Sequence, residues 1–233
     1  MMRWPLTLLL AFAAGFAGSA LWHVSGLGSD GTATRDYLLA HPEVLPEAME
    51  VLQRRDMAAR IDPLRGELER PFPGAVLGNP EGTVTLVEFS DYACSFCRQS
   101  LEDVNRLIAA NPDLKVVVRE YPILRPESVD AARMALAAAQ QGRYEAFHDA
   151  MFRLGPPSAE SIAAAAREAG VDAQQADAAI ATGMFDTQLR NNAALAERLG
   201  ITGTPGWVVG SEALNGAQGA DRIGQAIARA RAS

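Results

Sequence analysis

Two cysteines placed two residues apart are the side chains of this sequence best suited to chemistry. Cys94 and Cys97 are the only cysteines in the chain. A structural disulfide between them would add little stability, because the entropy that a disulfide removes from the unfolded chain grows with loop length. A zinc ion needs about four ligands, and His23, His41 and His148 show no ligand spacing. We expect His41 and His148 to be ordinary surface or helix residues. Capture of Cu(I) by two thiolates stays open, but the pair favours a dithiol that cycles between reduced and oxidised states, with no metal and no separate cofactor.

The residues around the pair predict which cysteine reacts first. Residues 83–89 (TVTLVEF) are rich in β-branched side chains and predict a buried strand, and residues 94–110 predict a helix. Cys94 then lies in the first turn of that helix, where free N–H groups and the helix dipole favour a thiolate. We expect Cys94 to be an exposed nucleophile at the carboxyl edge of the sheet. Cys97, one turn later, is the shielded resolving thiol that attacks a mixed disulfide at Cys94.

The elements that follow predict an α/β fold. A second strand at residues 114–121 (LKVVVREY) completes a strand, helix, strand unit with a parallel pair. Helical patterns occupy about residues 127–199, with Ser158, Asp172 and Asp186 as predicted N-caps. The chain then returns to a strand at residues 201–209.

A turn at Asn215-Gly216 is of the hairpin type, and we expect a short strand after it. Because the β segments lie on both sides of the helical stretch, we predict one domain over residues 75–233 with a helical insertion.

Residues 25–74 predict a linker followed by a helical arm. Gly and Ser residues come first, and Thr34 is a predicted N-cap of a short helix. Met49, Leu52 and Ala59 then share one face of a longer helical pattern. The arm is too small to bury this face by itself. Two interpretations stay open: the arm assembles with other copies, or it folds back on the main domain.

Residues 1–24 predict a signal peptide or an uncleaved membrane anchor. The stretch from residue 4 to residue 22 is apolar and follows Arg3. With Arg3 held inside, either outcome places the rest of the chain outside the inner membrane, in a compartment where disulfides persist. A buried soluble helix is the remaining alternative. The net charge of −7 argues against a nucleic-acid partner.

Three motifs give the main domain a family resemblance. The segments TVTLVEFSDYACSFC, REYPIL and GITGTPGWVVG resemble the thioredoxin-fold disulfide oxidoreductases of the DsbA group over about residues 75–233. The resemblance implies a thioredoxin-like fold in which Pro205 is cis and faces the cysteines, and Thr204 contacts the backbone of a bound peptide. It also implies that Glu88 is a buried acid that exchanges a proton with Cys97. From the residues alone, an ordinary loop proline and an exposed strand glutamate stay open.

One departure from the family pattern concerns the strength of the oxidant. The dipeptide between the cysteines is Ser95-Phe96, which tunes the thiolate without an imidazole, so a weaker oxidant is expected, although Arg98 offsets part of this effect. Gly206 stands where related proteins often carry Ser, Thr or a bulkier residue, and this departure concerns the details of the substrate groove and not the strength of the oxidant.

The arm carries a second resemblance, which bears on function. The segment YLLAHPEVLPEAMEVLQRR resembles the oligomerising extension of ScsC-like proteins, so residues 34–70 predict a homo-oligomer. We expect a periplasmic thiol–disulfide oxidoreductase that oxidises unfolded or partly folded exported proteins and is reoxidised by a membrane redox partner. The alternatives are an isomerase or reductase assembled through the arm, and a redox-inert chaperone or copper-binding module.

Overall fold

The computed structural model describes residues 31–232. Its strands are β1 (Val76–Gly78), β2 (Val84–Ser90), β3 (Leu114–Glu120), β4 (Gly206–Val209) and β5 (Glu212–Asn215). Its helices are α1 (Gly31–Ala40), α2 (Val44–Ile61), α3 (Arg65–Leu68), α4 (Ser95–Ala110), α5 (Pro126–Gln140), α6 (Tyr144–Leu154), α7 (Ala159–Glu168), α8 (Ala173–Ala181), α9 (Met184–Leu199) and α10 (Gly219–Arg231). The predicted signal or anchor at residues 1–24 lies outside the described residues. None of the described helices is both long enough and apolar enough to cross a membrane.

A mixed five-stranded sheet in the order β1-β3-β2-β4-β5 forms the frame. β2 and β3 run parallel, with α4 as their connection, and the other neighbouring strands pair antiparallel. In the parallel pair Glu88 lies opposite Val118 and Ser90 lies opposite Glu120. The predicted α/β class and thioredoxin-like arrangement are confirmed.

Each face of the sheet has its own core, because successive side chains of β2 and β3 point to opposite faces. Leu86 and Val116 pack in the larger core, with both cysteines and buried side chains of α4 to α9. Val87 and Val117 pack in the smaller one. That core also holds these residues: Ile61, Leu64, Leu68, Phe89, Leu195, Ala196, Leu199, Ile201, Val208.

The last part of the predicted arm therefore packs on the sheet. Ile61, Leu64 and Leu68 are at most 3% exposed, and burial of each such side chain stabilises the fold by about 2 kcal/mol. For residues 61–68 the alternative of an arm that folds back is the one observed.

Between β3 and β4 the structure has the five helices α5 to α9. Ser158 forms a capping box with Ser161, and the Asp172 side chain accepts a hydrogen bond from the Gln175 N–H at 3.0 Å, so both predicted caps are confirmed. Asp186 is not an N-cap, because α9 begins at Met184 and the Asp186 carboxylate instead accepts a hydrogen bond from Arg133 Nε at 2.8 Å. Thr34 is also not a cap, since it lies inside α1.

The carboxyl-terminal hairpin differs from its prediction. β4 begins only at Gly206, after Pro205, and it is joined to β5 through a turn that contains Gly210 at φ 56°. Asn215 ends β5, so the predicted Asn215-Gly216 turn follows the second strand of the hairpin instead of preceding one. A glycine suits position 210 because a positive φ is strained for other residues.

Candidate active site

Cys94 is the N-cap residue of α4. Its backbone is extended, at φ −82° and ψ 117°, and its Sγ accepts a hydrogen bond from the Cys97 N–H at 3.4 Å. The first N–H groups of a helix have no partner within the helix, so a sulfur at the N-cap meets donors that stabilise negative charge. The predicted place of Cys94 at the start of the helix is confirmed, and both cysteines are free thiols.

The Thr204–Pro205 loop lies against the cysteine pair. The Thr204–Pro205 peptide bond is cis, as the resemblance implies, and the Thr204 carbonyl oxygen is 3.2 Å from Cys94 Sγ. Cys94 is only 5% exposed and Cys97 is 1% exposed. The shielding of Cys97 is as predicted, but the prediction of an exposed Cys94 is wrong, because a loop that is distant in sequence contacts its sulfur.

The pKa values of the two thiols are shifted in opposite directions. The pKa of Cys94 is lowered to about 5, chiefly by a hydrogen bond from the Cys97 side chain, then by the Thr204 side chain and by the backbone N–H groups of Cys97 and Phe96. The pKa of Cys97 is raised, first by burial and then by the neighbouring Cys94 and Glu88. At neutral pH the pair therefore holds one thiolate and one thiol, which is the state that a nucleophile and its resolving partner require.

Glu88 lies on β2 and is 3% exposed. Burial raises its pKa to about 8, since the carboxylate loses its water. The alternative of an exposed strand residue is wrong. A carboxyl group with this pKa is mostly protonated at pH 7 and is suited to give or take a proton.

Asp91 is a site residue that the sequence analysis missed. Its Oδ1 accepts a hydrogen bond from the Ala93 N–H at 2.8 Å. Its Oδ2 accepts hydrogen bonds from the N–H groups of Ile123 and Leu124 at 2.8 and 2.9 Å. Asp91 thus joins the loop before Cys94 to the loop after β3. Its position between a buried strand and the cysteines was the signal available in the sequence.

Large apolar side chains are exposed in the first turn of α4 and on the loop after β3. Phe96 is 55% exposed, and Ile123 and Leu124, which are held by Asp91, are 43% and 50% exposed. Ser95, the other residue of the dipeptide, is also exposed.

Gly206 has a steric explanation. A Cβ atom at this position would lie 2.4 Å from Cγ2 of Ile201, far inside contact distance. Ile201 therefore occupies the space that a side chain would need, and this accounts for the departure from the family pattern.

Four buried polar side chains beside the cysteines were also missed. The Glu120 Oε1 accepts hydrogen bonds from the hydroxyls of Tyr92 at 3.2 Å and Tyr144 at 2.7 Å. The Tyr92 hydroxyl also lies 3.0 Å from Nδ1 of His148. From the sequence, His148 is expected to be an ordinary surface or helix residue. It lies on α6 but is 1% exposed, and burial lowers its pKa to about 3.

Within residues 31–232 no group of three or more His, Cys, Asp and Glu side chains is arranged to hold a metal ion.

Comparison with protein families gives two matches. A family model described as the DSBA-like thioredoxin domain matches residues 85–228. A second, described as the copper resistance protein ScsC N-terminal domain, matches residues 31–59. The first match contains the cysteine pair and the cis-proline loop, and the second lies in the predicted arm.

Two solved structures of individual proteins are also similar to this chain. A thioredoxin-like oxidoreductase from Silicibacter pomeroyi DSS-3 is 42% identical, with a TM-score of 0.65 over 68% of this chain and 92% of that one. BcfH from Salmonella enterica Typhimurium is 27% identical, with a TM-score of 0.66 over 93% of this chain and 99% of that one.

Curated relatives include the Na(+)/H(+) antiporter NhaA 1 of Mycolicibacterium gilvum (strain PYR-GCK). It is 36% identical over 95 residues, which cover 38% of this chain and 15% of the antiporter. The chain thus spans only a small part of the length of that relative. The family match covers more than half of the chain and includes its cysteine pair. The chain therefore belongs to the DSBA-like thioredoxin domain family.

Proposed function

We propose that the protein is a periplasmic oxidase of thiols, which passes a disulfide from the Cys94/Cys97 pair to exported proteins. The acidity of Cys94 is the observation that supports this direction. A thiol whose pKa is about 5 forms a stable thiolate, and a stable thiolate favours the reduced form of the protein, so the oxidised form gives up its disulfide readily. The donors at the start of α4 thereby compensate for the missing imidazole in the dipeptide.

The proposed reaction starts from the Cys94–Cys97 disulfide. A substrate thiolate attacks Cys94 Sγ, the bond between the two cysteines breaks, and Cys97 leaves with the electron pair and takes up a proton. Glu88, protonated at neutral pH, is the proposed donor of that proton. A second substrate thiolate then attacks the substrate sulfur of the mixed disulfide. Cys94 leaves as a thiolate, the substrate gains a disulfide, and the protein retains two electrons as its reduced pair.

The loop at Thr204 and Pro205 is the proposed contact for the substrate backbone. Thr204 lies beside Cys94 Sγ, and Pro205 carries no N–H, so it cannot donate a hydrogen bond to a neighbouring strand. Phe96, Ile123 and Leu124 offer apolar surface to a chain that is not yet folded. Unfolded or partly folded exported proteins fit such a surface, and a membrane redox partner would restore the disulfide.

The reduction potential of the pair tests the direction of electron flow. The protein is equilibrated with glutathione buffers and the oxidised fraction is measured. We expect a potential of about −120 mV, which is that of a strong oxidant. A potential of about −200 mV or below would contradict the oxidase assignment and favour an isomerase or reductase. Absence of a reversible couple would contradict any redox role.

We further propose that three parts of the chain have different roles. Residues 1–24 export or tether the protein, residues 25–74 form the linker and arm, and residues 75–233 carry the reaction. The homo-oligomer contact expected within residues 34–70 is proposed for the part that precedes Ile61, since residues 61–68 pack on the sheet. In α2, Leu45, Met49 and Leu52 share one face at helical spacing and are each more than half exposed. A second copy of the chain is the proposed cover for this face, as the match to the ScsC N-terminal domain also suggests.

Introducing charge on that face is expected to separate the copies. The variant with Leu45→Glu, Met49→Glu and Leu52→Glu should scatter light as a single chain, whereas the unchanged protein should have the mass of several chains. Burial of three carboxylates in an apolar contact is too costly for the contact to persist. Glu47→Lys, on the opposite face of α2, is the control and should keep the larger mass. A single-chain mass for the unchanged protein would contradict the oligomer.

A further inference from the structure

Tyr92, Glu120, Tyr144 and His148 form a buried set of hydrogen-bonded side chains, here called the Tyr92 clamp. Each is at most 2% exposed. They come from three places in the fold: the loop before Cys94, the end of β3, and α6. The clamp therefore ties the active-site loop both to the sheet and to the helical insertion.

The hydrogen bonds of the Tyr92 clamp have a defined direction. Tyr144 and Tyr92 both donate to Oε1 of Glu120. Since the single proton of Tyr92 is used in this bond, its oxygen accepts a hydrogen bond from His148, whose Nδ1 must carry the proton. Burial lowers the pKa of His148 to about 3, so the imidazole is neutral and this tautomer is available.

Packing alone does not account for these polar groups. The Tyr92 ring already contacts Phe147 and Phe152, at centroid distances of 6.0 and 4.9 Å. A phenylalanine would keep those contacts. Burial of Glu120 with no cation among its hydrogen-bond partners is unfavourable, because a carboxyl group loses water that two hydroxyls replace only in part. Because this cluster is costly to bury and is attached to the active-site loop, its position indicates a role at that loop.

We propose that the Tyr92 clamp positions Cys94, with Tyr92 as the positioning residue. Tyr92 lies two residues before Cys94, and its hydroxyl fixes the loop at Glu120 and His148. Asp91 fixes the same loop on its other side through three N–H groups. Held in this way, Cys94 Sγ stays 3.4 Å from the Cys97 nitrogen and 3.2 Å from the Thr204 oxygen.

This positioning matters because hydrogen bonds weaken steeply as distance and angle change. The thiolate of Cys94 depends on donors at the start of α4. A loop released from the clamp would move the sulfur away from them, and the thiolate would become less stable. The inference rests on the proposed role of Cys94 as the nucleophile.

Tyr92→Phe tests the clamp, with the rate of Cys94 alkylation by iodoacetamide measured between pH 4 and pH 8. A rise of one unit from the pKa of about 5 predicts a rate about fivefold lower at pH 5 and unchanged at pH 8. The ultraviolet absorbance of the thiolate should shift by the same amount. If Tyr92 had only a structural role, Tyr92→Phe would lower the alkylation rate by the same factor at every pH. That outcome, or an unchanged profile, would overturn the proposal.

Two substitutions at Glu120 test whether the hydrogen bonds that its oxygen accepts hold the active-site loop. Glu120→Gln keeps an oxygen that accepts both hydroxyls and should retain the unchanged profile, whereas Glu120→Leu should behave like Tyr92→Phe. A profile of Glu120→Gln that matches Glu120→Leu would contradict positioning. Tyr121→Phe, which removes a hydroxyl from the next residue, is the control and should change nothing. If the unchanged protein has no acidic thiol, the proposed function fails; if it has one that Tyr92→Phe does not move, only the clamp fails.

Discussion

Cys94→Ser is expected to lower the rate of thiol–disulfide exchange by about 10³-fold or more, because it removes the sulfur that forms the mixed disulfide. Cys97→Ser should have a different effect. Cys94 keeps its place at the N-cap of α4 and still reacts with a substrate disulfide, but the buried resolving thiol is gone. The mixed disulfide with substrate should then accumulate.

Each variant is mixed with a substrate protein in its reduced form and, separately, in its oxidised form. Non-reducing gel electrophoresis should show a protein–substrate adduct when Cys97→Ser is mixed with the oxidised substrate, because Cys94 displaces one sulfur of the substrate disulfide, and no adduct with the reduced substrate or with Cys94→Ser. Gln99→Ala, a change of an exposed residue of α4 outside the dipeptide, is the control for folding and should keep exchange. Full exchange activity in Cys94→Ser would contradict the assignment of the nucleophile. Unchanged cellular phenotypes in the same variant would favour the redox-inert chaperone or copper-binding alternative.

The reduced protein is expected to resist unfolding better than the oxidised protein at pH 7, by about 2 kcal/mol. The pKa of Cys94 falls from 9.0 to about 5 on folding of the reduced form. The stability that this provides is complete above the unfolded pKa and is lost as the pH falls through about 5. The oxidised form has no such thiolate. Its disulfide closes a short loop and so constrains the unfolded chain little.

The difference between the two forms should therefore grow as the pH rises from 5 to 8 and vanish below pH 5. Glu88 and Glu120 change the folding stability in the opposite direction as the pH rises, because burial raises the pKa of each from 4.5 to about 8. Their contribution is complete below the unfolded pKa and is lost as the pH rises through about 8, so the oxidised form should lose stability over this range.

Urea unfolding of both forms at pH 5, 7 and 8 gives these stabilities. Cys94→Ser with and without reductant is the matched control and should show no difference between the two conditions. An oxidised form that is the more stable at pH 7, or a difference that does not change with pH, would contradict the stabilised thiolate and with it the oxidase assignment.

The sequence by itself determined the local features of the site. The Cys94/Cys97 spacing and the strand before it predicted a thiol at the start of a helix, and the structure has Cys94 at the N-cap of α4. The same patterns predicted the parallel pair of β2 and β3. Such features depend on side-chain periodicity and on helix ends, which a short stretch of sequence encodes by itself.

Only the tertiary structure decided the environment of those residues. The Thr204 carbonyl oxygen meets Cys94 Sγ across 110 residues of chain and leaves that sulfur buried. His148 and Glu120 meet Tyr92 through the packing of α6 and β3. The sequence carries no periodic signal for such contacts. Acidity follows from burial and from hydrogen-bond partners, and both are set by segments that approach one another only when the whole chain folds.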